Sequence, residues 1–151
     1  MSNRKTGGST DSGPPIGSTL PGFPPGVNKY NNSAQTKEAT ARVLLFVSMH
    51  CAHCIDLLPH IENMVQSYRE LSFQLFTTGD EADNQSMIDY FGWGFPVHSL
   101  DQSDMEAYFT VTYLPFMIFQ DAAGAVAAKG VIYNADEFYQ IMKGFKSHTT
   151  A

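Results

Sequence analysis

Two cysteines three positions apart are the residues of this chain whose types and spacing most clearly suggest chemistry. The stretch Cys51-Ala52-His53-Cys54 follows an apolar run and opens a predicted helix. Unpaired backbone N–H groups and the helix dipole at such a position favour thiolate over thiol. The spacing puts the second sulfur on the next turn, so a disulfide can close locally. Cys51, at the exposed edge, is therefore the predicted nucleophile, and Cys54, one turn inward, is the predicted resolving cysteine.

Two histidines accompany the cysteines. His53 lies between them and His50 stands immediately before them. A protonated imidazole at either position would stabilise the Cys51 thiolate, as cationic neighbours do for reactive cysteines. A more stable thiolate favours the reduced form, which makes the disulfide a stronger oxidant. The sequence therefore predicts that His53 and His50 tune the acidity of the Cys51 thiol.

Alternating strands and helices must position this motif. The run Val43–Val47 is continuously apolar and rich in β-branched and aromatic residues, as in a strand buried on both faces. The helix that follows has apolar residues at three- and four-residue steps, namely Ile55, Leu58, Ile61, Val65 and Tyr68. Further strands are predicted at 71–76, 95–100, 116–119 and 125–129, with short helices after residue 83 and over 104–109 and a last helix from Asn134. This pattern predicts an α/β fold, with a central mixed sheet flanked by helices on both faces.

Composition narrows the class of protein. The chain has 151 residues, a net charge of −6 and 43% apolar residues, which suffice for one domain with a core. Two cysteines cannot form a disulfide scaffold, the acidic balance argues against nucleic-acid binding, and no apolar run is long enough to span a membrane. Residues 1–41 are rich in Pro and Gly and predict a flexible leader or tether. The domain is predicted at 42–146 and a disordered tail at 147–151.

The leader leaves the compartment open. Arg4 and Lys5 could begin a signal peptide, but no apolar segment follows them. The protein is expected to be cytoplasmic if Met1 is the natural start. It is expected to be extracytoplasmic if an anchor or signal has been removed.

The chain resembles the thioredoxin superfamily. The shared features are an apolar strand, a C-x-x-C pair opening a helix, Pro59 five residues later, and Tyr113-Leu114-Pro115-Phe116 leading into a strand. Gly124 and Gly130 and a terminal helix complete the pattern. The extra strand and helix between Cys54 and Pro115 are similar to the TlpA/ResA-like, redoxin-type branch. Three features depart from the family: His50 replaces a common Trp, Leu45 replaces a buried acid, and Ala-His replaces the usual reducing dipeptides.

The resemblance implies a thiol–disulfide oxidoreductase whose redox carrier is the Cys51–Cys54 disulfide, with no organic cofactor. Pro115 stands at the family's cis-proline position, facing the dithiol. The implied partners are protein thiols or disulfides and a redox partner protein. They would dock in a groove shaped by the residues around that proline: Tyr113, Leu114, Pro115 and Phe116.

Two other readings come from different classes of protein. Met49, Cys51 and Cys54 fit the M-x-C-x-x-C loop of copper(I) carriers, since soft thiolate ligands select Cu(I). Such domains are about half this length and have no place for Pro59 or for the Pro115 segment. The third reading is an interaction module that keeps the fold without redox activity.

Overall fold

The structure is a computed structural model that describes residues 13–20, 29–30 and 41–150. Within these ranges the strands are β1 (Lys29–Tyr30), β2 (Arg42–Val47), β3 (Ser72–Thr77), β4 (Val97–Ser99), β5 (Phe116–Gln120) and β6 (Val126–Val131). The helices are α1 (Ala52–Leu57), α2 (Ile61–Ser67), α3 (Glu81–Phe91), α4 (Gln102–Phe109) and α5 (Ala135–Thr150). None of the described helices combines the length and apolar content needed to cross a membrane.

One mixed sheet connects all six strands, in the order β1-β4-β3-β2-β5-β6. Strands β2, β3 and β4 run parallel, whereas β5 is antiparallel to β2 and β6 is antiparallel to β5. The predicted mixed sheet is confirmed, and so is the inserted strand and helix before Pro115, which are β4 and α4.

The core has two layers because β2 buries both of its faces. Val43 and Leu45 belong to one apolar cluster, which also contains Ile61 of α2 and Phe138 of α5. The alternate residues of β2 belong to a second cluster on the other face, together with Met105 and Phe109 of α4. Successive side chains of a strand point to opposite faces, so a continuous apolar run is what this position requires.

The helix after the C-x-x-C pair is broken at Pro59. Residues Leu58–His60 form a 3₁₀ turn between α1 and α2, with Pro59 in it. A 3₁₀ turn has 3.0 rather than 3.6 residues per turn, so the buried face does not continue along one helical stripe. Ile61 is fully buried, but Ile55 is 43% exposed. The predicted apolar face is therefore wrong at Ile55.

Parts of the predicted leader and tail have defined backbone positions. In the leader, the N–H of Gly17 donates to the carbonyl of Val126 at 2.8 Å, and that of Val126 donates to Ser18 at 2.8 Å. Residues 29–30 form β1 at the opposite sheet edge, and residues 1–12, 21–28 and 31–40 of the predicted leader lie outside the described residues. At the other end α5 continues to Thr150, where the sequence predicts a disordered tail. Extending a helix that has already formed costs little free energy, since each added residue contributes one backbone hydrogen bond.

Candidate active site

The sheet register brings the two halves of the predicted site together. The C-x-x-C motif follows the carboxyl end of β2, and Phe46 near that end pairs with Phe116 at the start of antiparallel β5. The residues that precede Phe116 must therefore lie beside those that follow Val47. Cys51 and the Leu114–Pro115 segment, 63 positions apart in sequence, are in contact for this reason.

Cys51 occupies the position that caps α1. Its backbone is extended, with φ −112° and ψ 120°, and its sulfur accepts the backbone N–H of Cys54 at 3.3 Å. The Cys51 thiol also contacts the carbonyl oxygen of Leu114 at 3.8 Å. The Cys51 residue is partly exposed.

Cys54 is fully buried under the motif. Its sulfur accepts the backbone N–H of Ser48 at 3.3 Å. Burial raises the pKa of the Cys54 thiol far above its usual range, and its hydrogen bond with Cys51 raises the pKa further. Cys54 is therefore a thiol at neutral pH. The two cysteines differ in access, as the sequence predicts for an attacking and a resolving cysteine.

This buried thiol makes stability depend on pH. The unfolded chain loses the Cys54 proton near pH 8.5, whereas the folded, reduced protein keeps it because the pKa of Cys54 is raised. The folded state then binds more protons, so the free energy of unfolding falls as the pH rises above about 8.5, with a slope approaching about 1.4 kcal/mol per pH unit. We expect urea unfolding of the reduced protein between pH 7.5 and 10 to show this decline.

Cys54→Ala supplies the control for that measurement. The free energy of unfolding of this variant has a flatter slope against pH, because the titrating thiol is gone. The pKa of Tyr68 is also raised by burial, but a free tyrosine titrates only near pH 10, so the window stops there. Equal slopes in the two proteins would contradict the assignment.

The loop before Cys51 is tied to the loop after β3. The N–H of Met49 donates to Thr78 Oγ1 at 2.8 Å, and the N–H of His50 donates to Ser48 Oγ at 3.1 Å. Gly79 packs closely there, since a Cβ on it would lie 3.3 Å from Met49 Cγ. These contacts fix the backbone that carries the dithiol.

A buried polar network supports the same loop from below. Asn84 of α3 is fully buried; its oxygen accepts the Thr77 hydroxyl, and its nitrogen donates to Ser99 Oγ at 3.0 Å. The Ser99 hydroxyl in turn donates to the carbonyl of Gly79. A satisfied buried network restricts the chain to one arrangement, and here it holds Gly79 and Thr78 under Met49.

The segment before β5 forms the opposite side of the site. The Leu114–Pro115 peptide bond is cis, and the Pro115 carbonyl accepts the N–H of Ile132 at 3.0 Å. Tyr113 is 52% exposed, and Leu114, whose carbonyl contacts the Cys51 thiol, is half-buried. Phe116, which the sequence includes in the groove, is wholly buried in the second apolar cluster because it is already part of β5.

Solved structures share this arrangement of chain. The thioredoxin domain of a thiol-disulfide oxidoreductase from Bacteroides vulgatus matches with a TM-score of 0.63 and 16% identity, over 87% of this chain and 97% of that one. This is a thioredoxin-like fold. A thiol peroxidase from Chromobacterium violaceum matches with a TM-score of 0.61 and 14% identity, over 88% of each chain. A thioredoxin-family thiol:disulfide interchange protein from Chlorobium tepidum matches with a TM-score of 0.56 and 18% identity, over 70% and 79%. No family model and no curated protein matches the sequence.

Both histidines of the motif are exposed on the thioredoxin-like domain. The His53 ring lies against that of Tyr133, with 4.8 Å between the ring centroids. Sequence reasoning omits Tyr133 from the site. The hairpin register could have found it: Val131 pairs with Phe116, so the residues after Val131 must lie beside Pro115.

The copper reading finds little support in the geometry of this fold. Among the described residues, no three His, Cys, Asp or Glu side chains come together as a metal site. Met49 is partly buried and packs against the core cluster that includes Cys54. A copper carrier therefore is not the favoured interpretation.

Proposed function

We propose that this protein is a thiol–disulfide oxidoreductase that exchanges disulfides with protein substrates through Cys51 and Cys54. One observation carries the proposal. A partly exposed cysteine and a buried cysteine lie one helical turn apart, and the thiol of the outer one contacts the carbonyl of Leu114. The kinship of fold with thiol–disulfide enzymes supports the same chemistry.

In the reducing direction, the Cys51 thiolate attacks one sulfur of a substrate disulfide. A Cys51–substrate disulfide forms, and the other substrate sulfur leaves as a thiolate that takes up a proton. The Cys54 thiol then loses its proton and attacks Cys51 Sγ, which closes the Cys51–Cys54 disulfide and releases the second substrate thiol. Two electrons pass from the dithiol to the substrate. The oxidising direction is the reverse, beginning with a substrate thiolate attacking Cys51 Sγ.

The groove proposed for the substrate runs between the Cys51 loop and the Leu114–Pro115 segment. Ile55, in the first turn of α1, and Tyr113, next to Leu114, are large apolar side chains that are 43% and 52% exposed. Exposed apolar surface beside a reactive sulfur suits a protein segment better than a small polar thiol. A redox partner protein would dock at the same face to return the dithiol to its starting state.

A redox titration tests the proposal. The protein is equilibrated in glutathione buffers of stepped ratio, trapped with a thiol-alkylating reagent and measured by mass spectrometry. We expect loss of both free thiols together, as one intramolecular disulfide in a two-electron transition. A midpoint near about −120 mV would assign an oxidant and one near about −270 mV a reductant. Failure of Cys51 and Cys54 to form a common disulfide at any ratio would overturn the proposal.

A further inference from the structure

The loop between β6 and α5 places an exposed aromatic ring beside the dithiol. Tyr133 is 47% exposed, yet its ring contacts the exposed imidazole of His53 with the planes tilted by 58°. Two exposed side chains lose conformational freedom when they stay in contact, so the contact persists only if the backbone presents them to each other.

The backbone of Tyr133 is held in that position from both sides. Its N–H donates to Glu137 Oε1 at 2.7 Å, and the N–H of Glu137 donates to Asn134 Oδ1 at 3.0 Å. The preceding residue, Ile132, is fully buried and donates its N–H to the carbonyl of Pro115. Tyr133 is thus fastened to the same segment whose Leu114 carbonyl contacts Cys51.

We infer that Tyr133 is a positioning residue that holds the imidazole of His53 on the side of α1 facing Cys51 Sγ and the Leu114–Pro115 segment. A His53 ring free to rotate into solvent would spend less time near the sulfur. An imidazolium at His53 would then stabilise the Cys51 thiolate less. The inference rests on the proposed role of Cys51 as nucleophile, and it assigns to Tyr133 a part in setting the reactivity of that sulfur.

The test follows alkylation of Cys51 by iodoacetamide from pH 5 to 9, in a Cys54→Ala background with a single thiol. We expect Tyr133→Leu to lower the rate at pH 6 about threefold, the size of one exposed aromatic contact, and to move the profile to higher pH. Tyr133→Phe keeps the ring and retains the parent profile. The other ionisable groups of these elements, which include His50, Tyr113 and Glu137, are unchanged in every variant.

Two further variants separate positioning from a general structural effect. Tyr90→Leu removes an equally large side chain that is 82% exposed on α3, and it leaves the profile unchanged. In a His53→Ala background, Tyr133→Leu has no additional effect, because coupled side chains give non-additive changes. A full Tyr133→Leu effect without His53, or an unchanged profile with His53 present, overturns the inference.

NMR provides a second measurement, which does not depend on whether Tyr133→Leu folds. The proton signals of the His53 ring in the Tyr133→Phe and parent proteins should carry the same aromatic ring-current shift, measured by NMR. A His53 ring without that shift in the parent protein contradicts the contact. Neither measurement uses a disulfide substrate. If this inference fails, the oxidoreductase proposal is unaffected. If the protein shows no turnover, the alkylation result can still be interpreted.

Discussion

Cys51→Ala is expected to remove catalytic disulfide exchange, with a loss of about 10³-fold or more in the rate of insulin-disulfide reduction or dithiol oxidation. The reason is access: Cys54 is fully buried and its pKa is raised, so it cannot take over as the attacking thiolate. The measurement is the initial rate with a small dithiol as reductant, or with a reduced peptide as substrate for oxidation.

Cys51→Ser is the matched control for the fold. Cys51 caps α1 by accepting the N–H of Cys54, and serine is a favoured residue at such a cap. The serine variant should therefore melt close to wild type and still lack turnover. Turnover equal to wild type in both variants would contradict the assignment of Cys51 as the nucleophile. A wild-type protein without turnover above the background rate would favour a non-redox interaction module.

The sheet could be predicted from sequence because its strands carry strong local signals. The Val43–Val47 run is apolar at every position and is buried on both faces, which is the arrangement that its composition favours. The hairpin of β5 and β6 follows from the turn at 121–124, where Asp121 Oδ1 accepts the N–H of Ala123 and that of Ala125. These signals are local, so they can be recognised without knowledge of the fold.

The site could be predicted only where a motif marks it. Cys51, Cys54 and Pro115 stand out by residue type and spacing, and the fold brings them together. Contacts between isolated polar residues leave no such pattern. The Met49–Thr78 bond spans 29 positions and uses a backbone N–H, so nothing in the spacing of side chains reveals it.

His98 shows the same limit of prediction from the sequence. No spacing pattern in the sequence indicates where His98 lies or which residue its ring contacts. His98 is fully buried, and its Nε2 lies 2.9 Å from Gln74 Oε1. Gln74 lies in β3 and His98 in β4, so the two side chains come together only when these strands pair. A polar pair across parallel strands depends on that register, which single-sequence periodicity does not contain.

Cys54→Ala should have the second large effect, and of a different kind. Attack by Cys51 is preserved, but the group that releases the substrate is missing, so the Cys51–substrate disulfide accumulates toward one per chain. We expect the rate of multiple turnover to fall by about 10²-fold or more. The remaining turnover comes from external thiols that release the substrate. Non-reducing electrophoresis and intact mass with a disulfide-containing protein substrate measure the adduct.

The pH dependence of the wild-type protein checks the same step. Because burial raises the pKa of the Cys54 thiol, its thiolate fraction grows about tenfold per pH unit between pH 6 and 8, and the lifetime of the adduct should shorten accordingly. The Cys54→Ala adduct has no such dependence in the absence of external thiol. The Cys51→Ala/Cys54→Ala double variant should form no adduct. A Cys54→Ala protein that turns over like wild type, or that forms no adduct although wild type is active, would remove Cys54 from the resolving role.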